Sequence, residues 1–272
     1  MGLRINTNIA ALNTSRIMRR STSALNSTLE RLSSGLRINR AADDAAGLAI
    51  AEAFRSVVLG AAVAQRNSQD GISLVQTAEG ALSETTNALQ RIRELAVQAA
   101  NGTQSTTNRQ SLDLEVQQLL AQIDDIAFDT EFNGVRVLSA AQTITLQAGH
   151  QAGQTLLIGM SGASTSDINV STVTVSTMIS AVSALSTLDL AIQSVTSLRS
   201  SLGAYQNRLE FTISTLAIQE ENSSASESMI RDADMARETI DFTRNQILVS
   251  AGTAVLAQSN VIPQTALQLL GG

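Results

Sequence analysis

The chain has 272 residues, a net charge of −6, one histidine and no cysteine, which excludes a disulfide framework, thiolate chemistry and cysteine-held metal. Five phenylalanines, one tyrosine and no tryptophan rule out an aromatic core, so the buried surface has to be aliphatic and finely divided. A single proline leaves helices free to run long, and the bias to Ala, Leu, Gln, Glu and Arg favours them.

Charge is uneven. Residues 1–40 hold seven arginines against one acid, Glu30, whereas residues 41–240 hold ten arginines against 22 acids. A basic start can mark a nucleic-acid or anionic-membrane surface. Here the arginines are dispersed, no aromatic side chain lies among them and the body is acidic, so no nucleic-acid partner is expected. Every basic residue is arginine, through codon bias or through selection for planar, bidentate cations at packed interfaces. Met1 to Ser15 lacks the apolar core of a cleaved secretory signal, and no stretch reads as apolar enough to span a bilayer. The expectation is no membrane insertion, and export, if any, without a standard cleaved signal.

In chain order, residues 1–40 read as a helix with a narrow apolar strip, Leu25, Leu29, Leu32 and Leu36. Asp43 and Asp44 precede a helical run and suit its N-cap. Val75, Ala78, Leu82, Thr85, Leu89, Ile92, Ala96 and Ala99 alternate steps of three and four, as a coiled-coil seam does. Gly60, Gly71 and Gly80 interrupt this helical pattern at about 1 kcal/mol each against Ala. Either they sit on an exposed face or they let backbones approach closely.

Asn101-Gly102-Thr103 separates the second helix from the third. The third carries Leu112, Val116, Leu119, Ile123 and Ile126. Asn133-Gly134 is expected to end it and open an extended segment. Ile144 to Gln147 and Thr155 to Ile158 alternate as strands around the turn that holds His150, and predict a hairpin. Residues 161–177, rich in Ser and Thr, read as a surface connection.

From about Met178 the chain reads as helix to near Pro263. Leu185, Leu188, Ile192, Val195, Leu202, Leu209, Ile213 and Leu216 form its seam, broken only by Arg199 and Gln206. That run spans roughly 47 Å at 1.5 Å per residue, too long for one compact core. A weaker strip, Ile240, Ile247 and Val255, follows, and the chain closes on Leu267, Leu269 and Leu270. Two such narrow strips can pair and still leave apolar surface for neighbours.

The fold class expected is therefore mainly α: a long antiparallel, coiled-coil-like helical rod with a small β-hairpin cap mid-chain and paired N- and C-terminal helices. The domain division expected is terminal inner-core helices, 1–42 and 233–272, and a rod domain, 43–232. The rod carries a β patch at about 136–160 and a Ser/Thr-rich tip at about 161–177.

Catalytic chemistry is not in view. His150 is a lone turn histidine, no His-Glu-x-x-His pattern occurs, and a lysine-bearing phosphate loop is impossible without lysine. The acidic pairs Asp43-Asp44, Asp124-Asp125 and Glu220-Glu221 are poor general acid/base pairs, because adjacent carboxylates on a helix point to different faces. Asp232 and Asp234 lack the further oxygen ligands of an EF-hand. Neither an enzyme nor a cofactor or metal is expected.

The motifs Leu32-Ser33-Ser34-Gly35 with Arg37-Ile38-Asn39, Ala42 to Ala51, Leu89 to Ala96, Leu202 to Glu210, and Pro263 to Leu270 together resemble the bacterial flagellins. The resemblance covers about residues 1–140 and 185–272. It implies a secreted subunit that polymerises into a hollow flagellar filament for motility, the paired termini lining its inside. It further implies an export chaperone and export apparatus, a filament cap and hook–filament junction proteins as partners. Supercoil switching in the family implies two nearly equal packings, with the 144–158 hairpin as the place to look. Leu25, Leu29, Leu32, Leu36, Ile240, Ile247, Val255, Leu267, Leu269 and Leu270 are the self-assembly candidates.

Animal receptors for the family are matched by Arg91, Leu95 and Glu115. The segment that plants sense departs at Arg40 and Ala42. Ser161, Ser164, Thr165, Ser166, Ser171 and Thr172 are the hydroxyls that O-glycosylation would use. Only about 20 residues separate the hairpin from the return helix, which resembles a minimal flagellin without large outer domains. The alternatives are a hook–filament junction protein or minor filament subunit and, in another class, a secreted coiled-coil adhesin or translocator.

Overall fold

The computed structural model describes residues 7–270, apart from the side chains of 262–264 and 266–270. Among the described residues there are five helices: α1 (Ile9–Ser34), α2 (Ala45–Ala100), α3 (Thr106–Asp129), α4 (Met178–Arg231) and α5 (Met235–Leu270). Between α3 and α4 lie two antiparallel strand pairs, β1 (Glu131–Phe132) with β2 (Val135–Arg136), and β3 (Gln142–Gln147) with β4 (Thr155–Met160). The chain divides into two compact units, residues 57–221 and residues 1–56 with 222–272.

Unit 57–221 holds the apolar core. Every residue of the predicted α2 seam, Val75 through Ala99, is buried. On α4 the alternate positions Leu188, Val195, Leu202, Leu209 and Leu216 are buried. The two helices run antiparallel, as polar ties show: Arg93 to Asp189 at 2.7 Å, Arg199 to Glu79 at 3.5 Å, and Gln65 to Glu220 at 2.8 Å. Arg199, which breaks the apolar seam, keeps its buried Nε without a partner. On α3 the fully buried positions are Val116, Leu120, Ile123 and Ala127, while Leu112, Leu119 and Ile126 are half-buried.

The β3–β4 hairpin follows its alternation. Leu156, Ile158 and Met160 turn into the core while Leu157 faces out. It lies against α2, and two of the three glycines exist for that contact. A Cβ at Gly71 would meet the Leu146 side chain at 2.3 Å, and one at Gly60 would meet His150 Cβ at 2.8 Å. Gly80 meets nothing within 4 Å. Close approach is thus the reason at Gly60 and Gly71, within one chain.

Three expectations are corrected. Asn133-Gly134 does not end α3, which stops at Asp129; the pair forms the turn between β1 and β2. Both residues have positive φ, 51° and 76°, as a two-residue hairpin turn demands. Residues 161–177 are not a bare surface connection, because Ala163, Ile168, Val170, Val173 and Val175 join the core. Asp124 accepts from the Thr165 N–H and hydroxyl at 2.8 and 2.9 Å, and Asp113 accepts from the Val175 N–H and Thr174 hydroxyl, both at 2.7 Å. Finally, the return helix breaks at Asp232–Asp234, where the Asp234 carboxylate caps α5 by accepting from the N–H of Ala236 and Arg237.

Candidate assembly interface

The signature motifs of the N-terminal segment are local structure in the unit formed by 1–56 and 222–272. Asn8 caps α1, accepting from the Ala11 N–H at 3.1 Å. Gly35 ends α1 with φ of 72°, and its N–H donates to the Arg31 carbonyl. The Arg37 N–H and guanidinium then donate to the carbonyls of Arg231 and Ile230, and Ala233 N–H donates to Gly35 O. The Asp pair divides its work: Asp44 caps α2 through the Gly47 N–H, whereas Asp43 accepts from the N–H of Asn39 and Arg40. Those N–H donors, Arg40's the stronger, hold the Asp43 carboxyl below the ordinary carboxylate value.

Helices α1 and α5 pair, but not through a greasy seam. Arg31 in the last turn of α1 meets Glu238 in the first turn of α5 at 3.2 Å. Each charge also complements its own helix dipole. Asn8 donates to the Ser259 carbonyl at 2.8 Å, Met18 lies over Gly252, and Ser21, Thr28 and Ser259 are buried. Among the described residues of this unit the fully buried apolar side chains are Ile38 and Ala51 alone.

The larger apolar side chains of α1 and α5 are instead half-buried or exposed. Of the sequence candidates, Leu25, Leu32 and Leu36 are half-buried and Leu29 is exposed. Ile240 and Ile247 are each 61 % exposed and Val255 52 %. Leu267, Leu269 and Leu270 lie in α5, with side chains outside those described. Sequence reading missed Ile9, Leu12 and Ile17 on α1, and Leu248 and Val261 on α5, all exposed. Steps such as Ile240, Ile247, Leu248 mark one helical face and were the available signal. With Thr239, Thr243 and Arg244 these three line a shallow apolar hollow on α5.

In unit 57–221, Arg91 donates to Glu115 at 2.9 and 3.1 Å and to Glu94 at 3.0 Å, and these hydrogen bonds, Glu115's the largest, raise its pKa further above the ordinary arginine value. This triad is exposed. Leu95 is not: at 1 % exposure it belongs to the core, which corrects its place in a receptor surface. Of the hydroxyl candidates, Ser161, Ser166, Ser171 and Thr172 are exposed, whereas Ser164 and Thr165 are buried and hydrogen-bonded to Asp167 and Asp124. Against the expectation from hydropathy, α2 and α4 each contain an 18-residue stretch long and apolar enough to cross a membrane, with mean hydropathy 1.6 and 1.4. Those stretches are 17 % and 28 % buried, and length and composition alone mark them. Among the described residues no cluster of His, Cys, Asp and Glu could hold a metal ion.

A family model for the bacterial flagellin N-terminal helical region matches residues 5–143, and one for the C-terminal helical region matches residues 185–270. The chain belongs to the bacterial flagellin family. It is 44 % identical to a flagellin of Bacillus subtilis over 98 % of this chain and 100 % of that one. It is 42 % identical to a flagellar filament 33 kDa core protein of Treponema phagedenis over 98 % of this chain and 99 % of that one. A putative flagellar hook-associated protein from Vibrio parahaemolyticus shares the fold, with a TM-score of 0.58, 11 % identity, and coverage of 70 % of this chain and 99 % of that one. The chain is a structural subunit of the flagellar filament that associates with copies of itself.

Proposed function

We propose that this filament subunit is exported from the cell and polymerises into a hollow helical tube in which neighbouring copies cover the outward apolar faces of α1 and α5. The observation that carries this reading is the inversion in unit 1–56 with 222–272. The side chains that its helix pair buries fully, among those described, are polar, and Leu25, Leu32, Phe242, Val249 and Leu256 are half-buried, while Ile9, Leu12, Ile17, Ile240, Ile247 and Val255 face solvent. A surface of that kind is a binding surface. Contacts between unlike faces that do not close into a ring generate an open helical polymer. The terminal segments, 1–42 and 233–272, form the inner part of the tube and 43–232 its outer wall.

Export makes an export chaperone and the export apparatus partners, and growth at the distal end makes a filament cap and hook–filament junction proteins partners too. The localisation is the extracellular filament, without membrane insertion. A host receptor would meet the free subunit at the exposed Arg91, Glu94 and Glu115 cluster. O-linked sugars would take the exposed Ser161, Ser166, Ser171 and Thr172.

The test is seeded growth. Purified subunit is heated to depolymerise it, given short filament fragments, and viewed by negative-stain electron microscopy. Long tubes are expected. Incorporation of a few subunits at one end only would make the chain a junction protein or minor subunit instead.

A further inference from the structure

Two Asn-Gly dipeptides stand in unit 57–221, Asn101-Gly102 and Asn133-Gly134, and their surroundings differ in a way that bears on covalent chemistry. Asn-Gly is the sequence in which a backbone nitrogen most easily attacks the preceding side-chain amide, because glycine puts no side chain in the way. Both pairs are exposed. Asn101-Gly102 follows the last residue of α2 and lies in the 101–105 link to α3, outside any ladder. The Asn101 side chain is folded forward over Gly102, its Oδ1 accepting from the Thr103 N–H at 3.2 Å. Its carbonyl accepts from the Gln104 N–H at 3.2 Å and from Arg109 at 3.0 Å. No hydrogen bond engages the Gly102 N–H, and the space beside Gly102 is open.

Asn133 is held in the opposite manner. It and Gly134 occupy left-handed backbone in a two-residue turn, clamped by the Phe132–Val135 and Glu131–Arg136 pairs. Turning the Gly134 nitrogen toward the Asn133 side chain requires rotation out of the turn, and that breaks the pairing.

The geometry points to Asn101 as a self-modifying site, which converts to aspartate and isoaspartate in the folded subunit while Asn133 is spared. The Gly102 nitrogen gives its proton to solvent base and bonds to Asn101 Cγ. The side-chain amide nitrogen leaves as ammonia, and the chain holds a five-membered imide. Water then opens the imide at either carbonyl, restoring the original main chain as aspartate or routing it through the side chain as isoaspartate. The Thr103 N–H donates to Oδ1 where negative charge develops during attack, as an oxyanion donor does. The product places a new carboxylate beyond the C-terminus of α2, where the helix dipole disfavours it. The isoaspartate form also adds a main-chain carbon to a link that Arg109 ties down.

The test uses the full chain as purified. It is incubated at mildly alkaline pH, folded in one arm and unfolded in urea in the other. Digests are read by mass spectrometry, and isoaspartate is counted by methylation with an isoaspartyl methyltransferase. In the folded arm Asn101 should convert about tenfold faster than Asn133, a difference that the turn's constraint makes reasonable. In urea the two rates should converge. Equal rates in the folded arm, faster loss at Asn133, or an Asn101 no more reactive than asparagines without a following glycine would overturn the assignment.

Discussion

The two units solve opposite problems with the same residue types. Unit 57–221 turns its aliphatic side chains inward, so that Val75, Leu82, Leu89, Ile92, Leu188, Val195 and Leu209 are all but sealed from solvent. The other unit leaves them half-buried or exposed and joins α1 to α5 through Arg31–Glu238, Asn8–Ser259 and buried hydroxyls as well. One unit carries its own core. Among its described residues the other has Ile38 and Ala51 as sealed apolar side chains, too little to offset the entropy of ordering two helices without help from neighbours.

The largest expected effect breaks the comparison on the core side. Leu89→Ala removes a fully buried side chain and should lower the stability of the free subunit by about 2–5 kcal/mol, read from its denaturant midpoint. The matched change Ile247→Ala should leave that midpoint within about 0.5 kcal/mol. It should instead raise the concentration of subunit left unpolymerised after seeded growth. A large midpoint loss at Ile247 would mean that α5 already buries it in the monomer.

Intermediate effects test the polar ties. Asp124→Ala removes the acceptor of the Thr165 N–H and hydroxyl, and should cost about 1–3 kcal/mol. Limited proteolysis should then cut within 161–177 sooner. Arg31→Met leaves the Glu238 carboxylate, mostly buried and with one oxygen already unpartnered, without its cation. It should also cost about 1–3 kcal/mol, but from the unit containing α1 and α5. Protection of α5 amides against exchange would report it.

The smallest effect concerns pH. Because backbone N–H donors lower the folded Asp43 pKa, its contribution is present above the ordinary value of 3.8 and disappears as pH falls through the lower folded value. Asp43→Asn should therefore lower stability at neutral pH and lessen its decline on the acid side below 3.8. A mutant with the wild-type acid profile would show that Asp43 is unlinked to folding.

The helical frame was legible because seams with steps of three and four are a local signal, and α2 obeyed its seam at every position. On α3 the seam holds at Val116 and Ile123, but Leu120 and Ala127 are buried in place of Leu119 and Ile126, on a helix that also packs against the 161–177 segment. The fold of 161–177 was not legible. Its organising acceptors, Asp124 and Asp113, stand 41 and 61 residues away in the chain. Asn133-Gly134 reads as a helix stop in the sequence because turn chemistry announces a reversal without saying what lies on either side. Leu95 was misplaced for a similar reason: a motif match does not tell which face of the helix is sealed. On the candidate interface, the α5 strip Ile240, Ile247 and Val255 is legible from its spacing, whereas Ile9 and Leu12 carry no comparable run of leucines to mark them.

The most direct measurement is amide hydrogen exchange, resolved by peptide, on the free subunit and on seeded filaments of the same chain. The account predicts strong protection of the α2, α3 and α4 cores in both states, and protection of α1 and α5 that rises sharply only in the filament. Protection of α1 and α5 in the free subunit equal to that of the α2 seam, with no rise on polymerisation, would contradict it.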